Sequence, residues 1–154
     1  MKNKNKMKEL KIQDALEYTK SIINTAREPL IILDEDLSVA LANRSFCQVF
    51  KVEPEETEGR FIYELGNRQW DIPKLRELLD NILPKTTSFD NFEVEHDFPG
   101  IGKRIMLLNA CRIYLEANRT KLIIFTIEDV TERKTIEELR EKIRTLETQL
   151  KKNP

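Results

Sequence analysis

From Phe89 onward the chain changes its period. Phe89 to His96 alternates, with Phe92 and Val94 on one face; Lys103 to Leu115 reads as a long strand and Leu122 to Glu128 as the last one. Period two marks strands, and the turn-rich join Phe98-Pro99-Gly100-Ile101-Gly102 and the short join Glu116 to Thr120 make them consecutive and antiparallel. Their centres, Ile105-Met106-Leu107-Leu108 and Leu122-Ile123-Ile124-Phe125, are apolar on both faces. A sheet of that kind must be covered on both sides. Helices from the first half of the chain are one cover; the N-terminal helix or a partner subunit has to supply the other.

The first half reads as those covers plus a hairpin. Ile12, Leu16, Thr19, Ile23 and Ala26 repeat at helical spacing, with Ala15 and Ile22 beside them, which predicts a helix from about Lys8 to Ala26. Pro29 ends it. Leu30-Ile31-Ile32-Leu33 and Ser38 to Ala42 are two strands turned by Asp34-Glu35-Asp36. Asn43 is placed to N-cap a short helix carrying Phe46, Val49 and Phe50, with Pro54 and the acids from Glu53 to Glu58 in the loop beyond. Phe61 to Leu65 forms one turn, and Pro73 opens an amphipathic helix with face Leu75, Leu78, Leu79 and Ile82, stopped by Pro84.

The exit from the last strand carries the strongest functional signal. Ile136, Leu139, Ile143, Leu146 and Leu150 are spaced 3, 4, 3, 4. Isoleucine at a and leucine at d are the choices that favour a parallel two-stranded coil. In that register Lys142 falls at g and Glu147 at the following e, so a parallel homodimer brings them together across the seam. Glu138 and Lys142, and Glu147 and Lys151, are also four apart within one helix. A surface helix packed back on its own domain is the competing reading, but the stripe is narrow for a core-facing side. The seam spans only about two heptads, too short to hold a dimer alone.

The chain divides into a tail and flanking helix over 1–27, a core over 28–130 and a linker helix over 131–154. A formal net charge of −1 offers no drive toward nucleic acid or an anionic membrane. Lysines 2, 4, 6 and 8 read as a solvated terminus. No apolar run approaches the ~18 residues of a membrane span, and there is no signal-peptide pattern, so a cytoplasmic protein is expected. Cys47 and Cys111 lie far apart outside any CxxC pattern and read as buried thiols.

This order of elements, and the residues at its joints, resemble a PAS domain. Pro29-Leu30-Ile31-Ile32-Leu33-Asp34 through Leu41-Ala42-Asn43-Arg44-Ser45-Phe46, then Phe50, look like the family's first hairpin and helix. Glu128-Asp129-Val130-Thr131-Glu132-Arg133-Lys134 looks like its Asp-(Ile/Val)-Thr output motif. The stretch from Tyr63-Glu64-Leu65-Gly66-Asn67 to Met106-Leu107-Leu108-Asn109 is similar to PAS modules of prokaryotic sensor kinases and chemotaxis signalling fusions. The resemblance covers roughly residues 22 to 134. It implies an α+β fold: a five-stranded antiparallel sheet cupped by short helices, between an N-terminal flanking helix and a C-terminal coiled-coil helix. It also implies a sensory or dimerisation input to the effector domain of a signalling protein, such as a histidine kinase in a two-component system.

At the exit, Asp129 stands three residues before Glu132, the spacing of a capping box, and four before Arg133, within reach of an ion pair. Asp129, Thr131 and Arg133 are therefore the expected relay between sheet and helix. An ordinary N-cap is the plainer reading of the same residues.

Enzymatic activity is not expected. The single histidine, His96, sits between Glu95 and Asp97 on a strand, and no spacing of His, Cys and carboxylates resembles a metal site or a nucleophile with its base. The tail helix has no histidine to accept a phosphoryl group, and Gly100-Ile101-Gly102 is too short for a phosphate loop. Photosensory flavin-binding PAS domains carry a reactive cysteine in an Asn-Cys-Arg-Phe-Leu-Gln run; here Gly59-Arg60 leads into Phe61-Ile62-Tyr63-Glu64. Haem-binding relatives use a histidine of the long helix, which Pro73 to Leu83 lacks, leaving His96, a cysteine or Met106 as ligand. No cofactor is expected, with a haem- or flavin-bound redox or gas sensor as the alternative. A small apolar ligand would lie among Phe46, Phe50, Trp70, Leu75, Leu79, Met106, Leu108 and Phe125, side chains that equally serve to fill a core. A ligand-free interaction and dimerisation domain is then the runner-up.

Overall fold

The structure is a computed structural model that describes the backbone of residues 2–115 and 120–153, and the side chains of 3–7, 17–114 and 121–153. The turn expected over 116–119 and the side chains of Ile12, Ala15 and Leu16 lie outside the described residues. A long helix α1 (Lys2–Thr25) leads into strands β1 (Leu30–Asp34) and β2 (Val39–Ala42). Short helices α2 (Arg44–Phe50) and α3 (Pro54–Thr57) follow, then a 3-10 turn at Ile62–Glu64 and the segment α4 (Leu65–Arg68). Helix α5 (Pro73–Arg76) continues as a π segment, Glu77–Ile82, and a 3-10 turn, Leu83–Lys85. Strands β3 (Ser88–Phe98), β4 (Gly102–Leu115) and β5 (Thr120–Asp129) precede the exit helix α6 (Thr131–Lys152).

The five strands form one antiparallel sheet in the order β2-β1-β5-β4-β3. The last strand is therefore the central one, pairing Ile31 with Phe125 and Leu108 with Ile127. Strand alternation puts Ile31, Leu33, Val94, Phe98, Met106, Leu108, Ala110, Phe125 and Ile127 on one face, all buried beneath the helices. From the helical side, Leu75, Leu78 and Leu79 are buried and Ile82 packs at the margin, the face expected of this helix.

Its end differs from the uniform helix expected. Pro84 has no N–H and would crowd the carbonyl of an α-helical turn before it. The helix widens to π spacing, so Leu83 N–H donates to Leu78, and Pro84 lies in a closing 3-10 turn. The opposite sheet face also differs. Leu30, Ile32, Leu41, Leu107 and Ile124 are only half-buried there. Helix α1 meets the core at α2: Arg44 N–H donates to Asn24 Oδ1 at 2.9 Å, and Ser45 Oγ donates to the Arg27 carbonyl at 2.6 Å. A single chain thus leaves the second sheet face incompletely covered.

Asn43 joins these parts. Its side chain, fully buried, accepts from Phe46 N–H and Leu30 N–H, both at 2.9 Å, and donates to the carbonyls of Ile23 (3.1 Å) and Glu28 (2.9 Å). It is the N-cap of α2 and also the knot between α1, β1 and α2. Removing it leaves two N–H groups and two carbonyls short of partners. Asn43→Ala is expected to lower stability by about 2–4 kcal/mol, read as a reduced urea midpoint. Asn43→Asp is expected to destabilise as well, because it would aim a carboxylate at two carbonyl oxygens.

Candidate functional site: the sheet-to-helix exit and the helical core

The exit is a closed set of contacts. Val130 N–H donates to the Ile105 carbonyl at 2.9 Å, and Ile105 N–H donates to Thr131 Oγ1 at 2.9 Å. The backbone of β4 thereby clamps the two residues where β5 ends and α6 begins. Thr131 Oγ1 donates its own hydrogen to Asp129 Oδ1 in a short bond, and Thr131 N–H donates to the same oxygen at 3.0 Å. The other carboxylate oxygen faces Arg104 Nε at 3.5 Å, an ion pair without hydrogen-bond geometry. Two further pairs reach from the first turn of α6: Arg133 to Glu128 at 3.2 Å and Lys134 to Glu93 at 3.5 Å. The start of the helix is tied to β3, β4 and β5 together.

Two expected contacts are replaced. Asp129 makes no capping box with Glu132; its carboxylate turns back to Thr131, and the N-cap residue is Val130, which has no side-chain cap. Arg133 pairs with Glu128, not Asp129. The reason is strand phase. Successive residues of β5 point to opposite faces, so Asp129 faces Arg104 on β4 while Glu128 lies under the departing helix. Arg104, Glu128, Lys134 and Glu93 escaped the sequence reading because only the register, Met106 opposite Asp129 and Glu93 opposite Leu107, brings them to the exit.

Beyond the exit, α6 buries no residue. Ile136, Leu139, Ile143, Leu146 and Leu150 are 42%, 53%, 55%, 58% and 75% exposed. Those values rule out the reading in which the stripe packs back on its own domain. Lys142 and Glu147 stand exposed on the same helix.

The eight ligand-pocket candidates come together, but as a packed cluster. Seven are buried and Phe50 is half-buried within the same core. Phe46, Phe50, Trp70 and Phe98 form an aromatic group with centroid separations of 4.7–5.4 Å. Phe46 and Trp70 border a cleft of about 270 Å³, and Leu79 borders a groove of about 710 Å³ at the other end of the helix layer. Tyr63 is locked beside this core: its hydroxyl donates to Asp80 Oδ1 at 3.1 Å, and the Arg76 guanidinium lies 4.1 Å over its ring. Burial, then the Asp80 carboxylate, holds the Tyr63 phenol well above its ordinary range.

The polar candidates are placed as follows. His96 is half-buried on β3, its ring edge-on to Phe98 at 4.7 Å. Among the described residues no cluster of three His, Cys, Asp or Glu side chains could hold a metal ion. Cys47 is half-buried, and burial, followed by Glu58, Glu53 and Glu55, pushes its thiol up, away from a reactive thiolate. Cys111 is exposed, contrary to the buried thiol expected, because its phase on β4 is opposite to that of Ala110.

A family profile described as PAS fold matches residues 23–135. The chain belongs to the PAS family. The expected fold is borne out by solved structures as well. The PAS domain of Bordetella pertussis BvgS superposes with a TM-score of 0.63 at 23% identity, covering 88% of this chain and 98% of that one. The PAS domain of nitrogen regulation protein NR(II) from Vibrio parahaemolyticus gives 0.58 at 16%, covering 72% and 96%. A sensory box sensor histidine kinase from Vibrio cholerae gives 0.54 at 19%, covering 81% and 98%. No curated protein matches the chain. Among the described residues, no helix of this PAS domain is long and apolar enough to cross a membrane.

The exit contacts differ in expected weight. Thr131→Val strands the part-buried Ile105 N–H and is expected to cost about 1–3 kcal/mol, with faster hydrogen exchange at Ile105 and Val130. Arg133→Ala removes only an exposed pair and is expected to stay within about 0.5 kcal/mol.

Proposed function

We propose that this PAS domain is a non-enzymatic, cytoplasmic input module that relays ligand or partner state through Asp129 and Thr131 into a parallel coiled coil formed by α6, and so to an attached effector such as a histidine kinase. The observation that carries the reading is the conjunction at the exit. A helix whose apolar stripe is exposed throughout begins in a turn bonded to three strands of the sheet. A shift of β4 against β5 would move Ile105 relative to Thr131 and redirect the helix. Exposed leucine and isoleucine at a and d make a second α6 the natural cover. The half-buried second face of the sheet supports a dimer that draws on the core as well as the seam.

The packed aromatic core favours a second reading, a ligand-free interaction and dimerisation domain, since the candidate pocket residues already fill the space around one another. Neither reading calls for a cofactor.

Light scattering is expected to give a dimer for the full chain and a smaller mass after truncation before Thr131; a monomer in both overturns the seam. Lys142→Glu is expected to weaken the dimer, and adding Glu147→Lys to restore it. With the domain joined to a kinase, Asp129→Ala is expected to change output while the fold is retained. Unchanged output at normal stability rejects the relay.

A further inference from the structure

The end of β4 and the start of β5 border a groove together with the end of the long helix. The alternation that buries Met106, Leu108 and Ala110 gives Arg112 and Tyr114 the same face, and the alternation of Phe125 and Ile123 does so for Lys121. These three side chains overhang the groove of about 710 Å³ that Leu79, Leu83 and Ile123 line from within. Its size falls within the range of small-molecule sites, about 300–1,000 Å³. Leu79 and Leu83 are at most 3% exposed, whereas Tyr114 is 53% exposed.

Two observations indicate what the groove takes. Arg112 stands opposite Ile123 and Tyr114 opposite Lys121, so the two cations are diagonal neighbours on one face. Neither makes an ion pair among the described residues. Two like charges side by side repel unless an anion sits between them. Two acids also border the groove, Asp80, which accepts the Tyr63 hydroxyl, and Glu35 on the β1–β2 turn; neither is paired with Arg112 or Lys121. The second observation is Leu37. It adopts φ 63°, a left-handed conformation that costs a branched side chain about 1–2 kcal/mol and that glycine or asparagine adopts readily. Its side chain packs against the core and forms a wall of the same groove. An apolar wall is kept where the backbone alone would favour another residue.

We infer that this groove binds a small amphipathic carboxylate, its chain on the half-buried Leu37 and Ile123, above the buried Leu79 and Leu83, and its head group between Arg112 and Lys121. The inference rests on the ligand-sensing form of the function proposed above, but places the ligand outside the aromatic core. Binding is measured on the full chain without an effector, so its failure is distinct from failure of the relay or the dimer.

Methyl-resolved NMR titration with octanoate below its micelle concentration is the test, with octanol and octylammonium as controls. Octanoate is expected to shift the methyls of Leu79, Leu83 and Ile123 saturably and more tightly than either control. Arg112→Gln with Lys121→Gln, both at exposed positions, is expected to weaken octanoate about tenfold or more and leave octanol nearly unchanged. Leu37→Asn, which relieves the left-handed strain but gives up the leucine's apolar contact, is expected to weaken octanoate. The inference is overturned by an absence of saturable shifts, by shifts centred on Phe46 and Trp70, or by equal octanoate affinity in the double variant. Concentration-dependent shifts of the same methyls without octanoate, the sign of a second copy in the groove, overturn it as well.

Discussion

The sheet depends on β5, the last strand in sequence and the middle one in space. It pairs on one side with β1, from the opposite end of the core, and on the other with β4. Until β5 is in place the β1–β2 hairpin has no strand joining it to β3 and β4, and the buried faces of Ile31 and Leu108 lack the partners Phe125 and Ile127. Such non-local pairing must overcome loop-closure entropy before it is stabilised. It also sets where α6 begins, because the strand that unites the sheet runs directly into that helix.

The contacts at that junction suit a coupling element. Most are backbone hydrogen bonds or bonds through one hydroxyl, which hold geometry closely; the surrounding ion pairs are exposed and individually weak. Thr131 ties the helix to β4 while Lys134 reaches β3. The first turn is therefore tied to three strands at once. The core behind it is densely aromatic, with the Tyr63–Asp80 bond beside it, whereas the groove of about 710 Å³ lies at the far end, beside the end of β4 and the start of β5. A ligand there would act on the ends of the same two strands whose other ends hold the exit.

Much of this was legible residue by residue. Alternation from Phe89 to His96 located one long strand and apolar runs between turn-rich joins located the other two, Asn43 announced an N-cap, and the spacing from Ile136 to Leu150 announced a narrow apolar stripe. What escaped depended on register or on facing elements. Asp129 and Arg133 meet other partners than expected, since a helix-based spacing rule was applied where one residue still belongs to a strand. Cys111 was misplaced because an apolar run conceals which phase faces inward. The second cover of the sheet was expected from the N-terminal helix or a partner subunit; α1 docks on α2 through backbone and amide contacts near its end and leaves that face half-buried.

By itself the sequence determined the kinds of elements, their order and their apolar faces, because period, capping and turn chemistry act over a few residues. It also determined that α6 carries an apolar stripe at 3, 4, 3, 4 spacing. Only the tertiary structure decided which strand is central, which carboxylate meets which cation at the exit, and that Arg112 and Lys121 share a face over an apolar groove. Those are matters of pairing between distant segments, and a one-residue change of register would exchange every face while leaving the local sequence signals the same.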